Sequence, residues 1–325
     1  MLFVALTVPS EGIGRPGREV LGLARRLADG GAPGPVVAGI AGPGAAQAAA
    51  EAVGLGADRV VAVTGRGETA DRTLLLRDLL AAWERAGGNA GWVLVPGDDA
   101  GRELAPRLAF RLNAGVVTDA VQVAWEGGRL ETRRPVYGGK AVAALALQGQ
   151  VGVIQVKDRA FDAAEPDPAR TGQAEEIPAE GGSPRMKVVE QVREEVEGIP
   201  MEEAPVVVAG GRGMGGPEPF QTELNELARI LGGAVGASLA AVDAGWVPPS
   251  YQVGQTGKSV APNLYVAVGI SGASQHVAGI AGAKHVVAIN KDAEAPIFRV
   301  AELGLVGDWK EVLPAFIQAV RELRG

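Results

Sequence analysis

Short apolar runs punctuate the first 125 residues. Phe3–Val8, Val36–Ile40, Val60–Val63 and Trp92–Val95 each read as a buried strand. Between them lie stretches of helical character, among them Gly17–Leu27, Thr73–Arg85 and Gly101–Leu112. In the last, Leu104, Leu108 and Leu112 recur at four-residue spacing and share one face. Strands that alternate with helices predict a parallel sheet covered on both faces.

The pattern then changes. Ala120–Trp125, Leu130–Val136, Ala141–Leu147 and Val151–Val156 are strand-like, and Gly127-Gly128 and Gly138-Gly139 are turn signals. No helix-length segment separates these four strands, so antiparallel pairing is expected. Asp158 to Pro205 differs again, with several prolines, Gly181-Gly182 and a charged stretch from Lys187 to Glu203. It reads either as a partly extended, solvated connector or as a long ordered excursion over the first domain. Both readings put a domain boundary near residue 200.

The alternation restarts at Val206. Val206–Ala209, Leu264–Ile270 and His285–Ile289 are strands. Phe220–Leu231 is expected to be one helix with Leu224, Leu227, Ala228 and Leu231 inward, ended by Gly232-Gly233. A last helix over Trp309–Leu323 carries Val312, Leu313, Phe316, Val320 and Leu323 on one stripe. The predicted class is α/β in two domains, each a mainly parallel sheet with helices on both faces. Residues 1–200 form the first, with its antiparallel extension and connector. Residues 201–325 form the second, which is doubly wound.

Candidate chemistry gathers in the second half. Leu264 to His276 is an apolar run that ends at Ser271-Gly272 and passes directly to polar side chains. In open α/β folds such a strand end delivers a loop to the ligand edge. Asn290 ends a second strand. Gly211-Arg212-Gly213-Met214-Gly215-Gly216 fits G-x-G-x-x-G after a strand, where missing Cβ atoms let phosphates approach backbone N–H groups. A nicotinamide site also needs an acidic residue at the end of the next strand, which here ends in Ser238, with Asp243 too late. A plain glycine-rich tight turn competes with the ligand reading. Arg212 favours an anionic or aromatic ligand.

Gly254-Gln255-Thr256-Gly257-Lys258-Ser259 is not a phosphate-binding P-loop, because Gln252 stands where glycine is required and Pro262 obstructs the following helix. It is a polar turn that offers Gln255 and Thr256. His276 is expected to face a ligand as a hydrogen-bond donor, whereas His285 begins a strand and reads as structural. Asp308 reads as the N-cap of the last helix.

Composition narrows the classes further. The chain has 325 residues, no cysteine, two histidines and a net charge of −7. Thiol chemistry, disulfides and iron–sulfur clusters are excluded, a histidine-based metal site is disfavoured, and nucleic acid is an unfavoured partner. No apolar run approaches the ~18 residues of a membrane span. The N-terminus lacks the basic start and cleavage site of a secretory signal and shows no transit peptide, so cytoplasm is expected, or the mitochondrial matrix in a eukaryote. A ligand cradle without an evident acid, base or nucleophile suits a cofactor that performs the chemistry itself.

Taken together, Gly211-Arg212-Gly213, Gly236-Ala237-Ser238, Ala241 to Gly245, Gln252 to Lys258, Leu264 to His276, Ala288 to Asp292 and Ala295 to Phe298 resemble the alpha subunit of electron-transfer flavoproteins. The likeness covers nearly all of 206–310. Over 1–157 it is looser, clearest at Arg134 to Gly139. The resemblance implies a heterodimer with a beta subunit that packs on the N-terminal domain and holds AMP. It implies FAD in the C-terminal domain, electrons arriving from acyl-CoA dehydrogenases or similar flavoenzymes, and a quinone oxidoreductase as acceptor. An electron-bifurcating member, an NAD(P)-dependent oxidoreductase and a redox-inactive nucleotide-binding regulator are the alternatives.

Carried over position by position, the resemblance implies FAD contacts at Arg212, Ser238, Gln255, Thr256, Ser271, Gly272, Ala273, Gln275, His276, Asn290 and Asp308. Thr256 would sit near flavin N5 and His276 by the N1–C2=O edge. Ser238, Ser271 and the Gly272 backbone would hold the phosphates and ribityl chain, and Asn290 and Asp308 the adenosine half. One position departs from the family: the residue after Gly236-Ala237-Ser238 is Leu239, where arginine is usual. A lower flavin potential or a less stable anionic semiquinone is expected, unless another basic residue, such as one from the beta subunit, fills the gap.

Overall fold

The computed structural model describes residues 1–324 apart from 68, 70, 138, 140, 187–188 and 191–198. The chain divides into two compact units, one of residues 1–136 and 140–192, the other of 137–139 and 193–325. Among the described residues, no helix is long and apolar enough to cross a membrane.

In the N-terminal unit β1 (Leu2–Thr7), β2 (Val36–Ala41), β3 (Arg59–Thr64) and β4 (Gly91–Val95) alternate with α1 (Arg15–Asp29), α2 (Ala45–Gly54), α3 (Arg72–Arg85) and α4 (Asp99–Arg111). After these come β5 (Gly115–Ala120), β6 (Gln122–Glu126), β7 (Arg129–Val136), β8 (Ala141–Ala146), β9 (Val151–Val156) and β10 (Gln173–Pro178). Seven strands form one sheet in the order β10-β3-β2-β1-β4-β9-β5, and every neighbouring pair in it is parallel. Alternate residues of β1 enter opposite cores. Leu2, Val4 and Leu6 pack with α1 and α2, while Phe3 and Ala5 pack with α3 and α4.

Two expectations for this unit need correction. Val151–Val156 does not join an antiparallel set. It is β9, parallel to β4 and β5 and buried on both faces, which is why its apolar run is nearly continuous. Only β6, β7 and β8 form the antiparallel sheet. Ala120–Trp125 is not one strand: Ala120 ends β5, and β6 begins at Gln122. A bulge there leaves Asp119 at φ 53, with its N–H held 2.8 Å from Oε1 of the buried Gln155. The segment after Asp158 takes the ordered course. Arg159 N–H donates to Glu19, Ala164 N–H to the Arg18 carbonyl, and the chain then adds β10 beside β3. Much of the charged stretch Lys187–Glu203 lies outside the described residues.

The C-terminal unit holds β11 (Val206–Gly210), α5 (Glu218–Gln221), α6 (Glu223–Leu231), β12 (Ala234–Ala237), α7 (Leu239–Asp243), β13 (Leu264–Val268), α8 (Ser274–Ile280), β14 (His285–Asn290), β15 (Leu303–Val306) and α9 (Trp309–Arg324). Its five strands are parallel in the order β12-β11-β13-β14-β15. Val206 and Val208 face a core with Leu224 and Leu227 of α6 and Leu313 and Ile317 of α9. Val207 and Ala209 face the opposite core with Tyr265, Val253 and Ile280 of α8. The expected single helix Phe220–Leu231 is broken at Thr222 (φ −106, ψ −97), whose hydroxyl donates to the Glu218 carbonyl at 2.9 Å. α6 ends at Gly232 in the left-handed region, as the glycine pair signalled. On α9, Leu323 is 87% exposed, and Ile317 takes the inward place expected of it.

Candidate functional site

Strand order in this sheet reverses between β11 and β13. Neighbouring connections there leave in opposite directions, and such a switch point is where open α/β sheets bind ligands. The loop after β11 carries Arg212, and the loop after β13 with the start of α8 carries Ser271 to Gln275, so both flank that point. Ser238 follows β12, Asn290 ends β14 and Asp308 follows β15. Those sequence-selected residues therefore share one sheet edge, and Gln255 and Thr256 join them through a turn described below.

The glycine-rich loop has a different job from the one its motif suggests. A Cβ on Gly211 would fall 2.1 Å from the Gly269 carbonyl oxygen, and one on Gly213 would fall 2.8 Å from it. The glycines let the loops after β11 and β13 pack backbone to backbone. Their N–H groups are also engaged. Those of Gly211, Gly213, Met214 and Gly215 donate to the carbonyls of Val268, Gly269, Gly211 and Arg212. A phosphate cradle built from these four N–H groups is therefore absent, which counts against a dinucleotide fingerprint. Arg212 stands exposed on the turn, with no ion pair among the described residues.

The turn with Gln255 and Thr256 is seated on α8. Gln255 N–H donates to the Gln275 carbonyl at 2.8 Å, and Val260 N–H to the Gly279 carbonyl at 2.8 Å. Val253 N–H donates to the Ala237 carbonyl at 2.9 Å, which ties the turn to the end of β12. Buried Gln252 donates through Nε2 to Thr256 Oγ1 at 3.0 Å. Gln255, Thr256, Ser271, Ala273 and Gln275 are exposed, so their side chains are available. Gly272 is buried at φ 82, where a Cβ would meet the Ile297 nitrogen at 2.2 Å.

Two buried polar atoms in this region have no hydrogen-bond partner: Ser238 Oγ and His276 Nδ1. Ser238 occupies the N-cap of α7, yet its hydroxyl caps nothing. A serine there ordinarily accepts from the first turn, so this oxygen is open to another hydrogen-bond partner. His276, expected to face a ligand as a donor, is 6% exposed on α8, and its Nε2 lies 2.9 Å from the Tyr265 hydroxyl. Burial lowers its pKa to about 4, with the Val253 backbone opposing weakly, so the ring is neutral at pH 7. Leu239 follows Ser238 and is 46% exposed.

Asn290 and Asp308 make hydrogen bonds of their own at this edge. Asn290 donates to the Ile270 carbonyl at 2.9 Å and accepts from Asp292 N–H at 3.0 Å, which staples the β13 loop. Asp308 caps α9 through the Lys310 N–H at 3.0 Å. Both line a cavity of about 190 Å³ between the Gly213–Gly215 turn, the end of β14 and the start of α9. Trp309 forms part of its wall and donates from Nε1 to the Gly213 carbonyl at 3.1 Å. Sequence reasoning missed Trp309, Tyr265 and Gln252. An aromatic at the first position of a helix after a strand was the available signal for Trp309, and the other two look like ordinary core positions. A second cavity of about 330 Å³, near Asn225, Arg229 and Tyr251, holds none of the selected residues.

The arrangement offers donors and acceptors in a row but groups no acid, base and nucleophile. Comparison with known proteins agrees with that character. The sequence profile described as "Electron transfer flavoprotein domain" matches residues 10–181. That described as "Electron transfer flavoprotein FAD-binding domain" matches 200–281, which stops short of Asn290 and Asp308. The electron transfer flavoprotein subunit alpha of Bacillus subtilis (strain 168) is 43% identical over 223 residues, 69% of this chain and 68% of that protein. Protein FixB of Clostridium saccharobutylicum is 43% identical over 227 residues, with coverage of 69% and 68%. The Megasphaera elsdenii alpha subunit is 43% identical over 240 residues, with coverage of 71% and 70%. The chain belongs to the electron transfer flavoprotein alpha-subunit family, and its C-terminal unit contains that family's FAD-binding domain.

Proposed function

We propose that this chain is the FAD-carrying subunit of a cytoplasmic heterodimer, in which a beta subunit holds AMP and packs on the N-terminal unit. It takes electrons from acyl-CoA dehydrogenases or similar flavoenzymes and passes them to a quinone oxidoreductase. The observation that carries this reading is the match of residues 200–281 to a FAD-binding domain, within which Ser238 Oγ and His276 Nδ1 are buried without a well-formed partner. A ligand rich in hydrogen-bonding groups relieves both. FAD fits, because the surrounding exposed side chains are neutral donors and acceptors, with Arg212 as the anion-pairing group.

Bound FAD supplies the one- and two-electron chemistry. This chain's residues bind and orient it. Ser238, Ser271 and the Gly272 backbone hold phosphates and ribityl hydroxyls, and Arg212 pairs with phosphate or lies over the ring. Thr256 and His276 offer hydrogen bonds to the polar ring edges, with Gln255, Ala273 and Gln275 alongside. Asn290 and Asp308 receive the adenosine half in the 190 Å³ cavity, with Trp309 as its wall. The internally engaged glycine loop, and Ser238 where an acidic residue is needed, disfavour the NAD(P) alternative.

The donor assignment is tested by adding an acyl-CoA and its dehydrogenase, anaerobically, to the purified complex. Stoichiometric loss of the oxidised flavin band is expected. A band untouched by these and bleached by NADH alone would remove the acyl-CoA dehydrogenase from the account.

A further inference from the structure

Tyr265 is fully buried on β13, and His276 on α8 is nearly so. The phenol oxygen lies 2.9 Å from His276 Nε2, with the rings 6.0 Å apart and inclined at 58°. Two proton arrangements are open to this pair. In one, Nε2–H donates to the phenol oxygen. The phenolic hydrogen then has no acceptor, because His276 Nε2 is the one hydrogen-bond partner of that oxygen among the described residues. A buried hydroxyl without an acceptor carries its full desolvation cost. In the other, the phenol donates to a bare Nε2, and the imidazole proton sits on Nδ1. Only the second satisfies the hydroxyl.

The second arrangement also suits Nδ1. The Val253 backbone favours a protonated ring nitrogen, and burial outweighs it. No well-formed hydrogen bond within the protein uses that proton. Burial keeps the ring neutral and holds the phenol protonated, so Tyr265 remains a donor at any ordinary pH. The logic is that of a buried group that fixes a histidine tautomer through its far nitrogen.

We propose that Tyr265 is a positioning residue that fixes His276 as a neutral imidazole with its proton on Nδ1, so that the flavin meets a neutral hydrogen-bond donor there and not a cation. The inference rests on the reading of this unit as the FAD carrier and deepens it.

The test is a two-bond ¹⁵N–¹H correlation spectrum of the flavin-loaded complex at pH 7. His276 and His285 are this chain's only histidines, so His276→Gln and His285→Gln assign the signals. The Nδ1–H tautomer is expected for His276, and Tyr265→Phe should populate the Nε2–H form. Tyr265→Phe should also shift the flavin's one-electron potential in the wild-type background and leave it unmoved in His276→Gln. An Nε2–H or doubly protonated ring in the wild type overturns the proposal, as does an equal shift in both backgrounds. If Tyr265→Phe does not fold, the wild-type spectrum still decides. A colourless preparation refutes the FAD reading, while its spectrum still reports where the proton sits.

Discussion

Gly279 and Gly254 meet backbone to backbone: a Cβ on Gly279 would lie 2.5 Å from the Gly254 Cα. This contact lets the turn with Gln255 and Thr256 rest on α8. Gly279→Ala must push the turn outward, because backbone cannot give way as a side-chain tip can. Overpacking of this kind costs about 1–3 kcal/mol. The variant should unfold at lower urea and bind FAD at least ten times more weakly in a flavin titration. Wild-type affinity in a destabilised variant would detach the turn from the ligand.

Two glycines of one loop should behave differently. Gly211→Ala sets a carbon 2.1 Å from the Gly269 oxygen, so the loops after β11 and β13 cannot both keep their places. Gly215 has open space around it and is constrained only by φ 81. Gly215→Ala should cost about 1–2 kcal/mol for the left-handed backbone, and Gly211→Ala clearly more. Equal denaturation midpoints for the two variants would contradict the packing role assigned to Gly211.

His276 gives the unit a particular pH dependence. Its ring titrates near 4 in the folded protein and near 6.5 in an unfolded chain. Below pH 6.5 the unfolded chain gains a proton that the folded chain refuses. The contribution is therefore complete above 6.5 and is lost as pH falls towards 4. Urea titrations at pH 7 and 4.5 should show wild type losing about 2–3 kcal/mol more than His276→Gln. Parallel losses would mean that the ring is not held neutral.

Leu239 puts an uncharged side chain directly after Ser238. We expect Leu239→Arg to raise the flavin midpoint potential, because a positive charge within ~5 Å stabilises the reduced, negative form by on the order of 1–3 kcal/mol at intermediate dielectric. Potentiometric titration of both proteins measures this directly. An unchanged potential would show that another basic group already serves the site.

Much of the architecture was legible because parallel strands buried on both faces leave unbroken apolar runs, as in β1, β2 and β13. Two strands that were missed lie at sheet edges. β10 reads Gln173-Ala174-Glu175-Glu176-Ile177-Pro178, too polar to announce a strand, and β15 has only four residues. β9 was assigned to the wrong sheet because it follows three true antiparallel strands with no helix between. At the site, the polar rim at the ends of β13 and β14 was visible from strand-end chemistry. The use of Gly211 and Gly213 was not, since glycine looks the same whether it faces a phosphate or another loop. Nor was Tyr265 visible as a partner, because only the placement of α8 sets His276 over it.

The most direct test of the central claim is the visible absorption spectrum of the complex, purified after co-expression of this chain with its beta subunit. The account predicts oxidised flavin bands at about one FAD per heterodimer, lost together with the ligand in Ser238→Ala combined with Thr256→Val. A second FAD per heterodimer would move the assignment to an electron-bifurcating member. A colourless, folded complex that takes up no added FAD would contradict it.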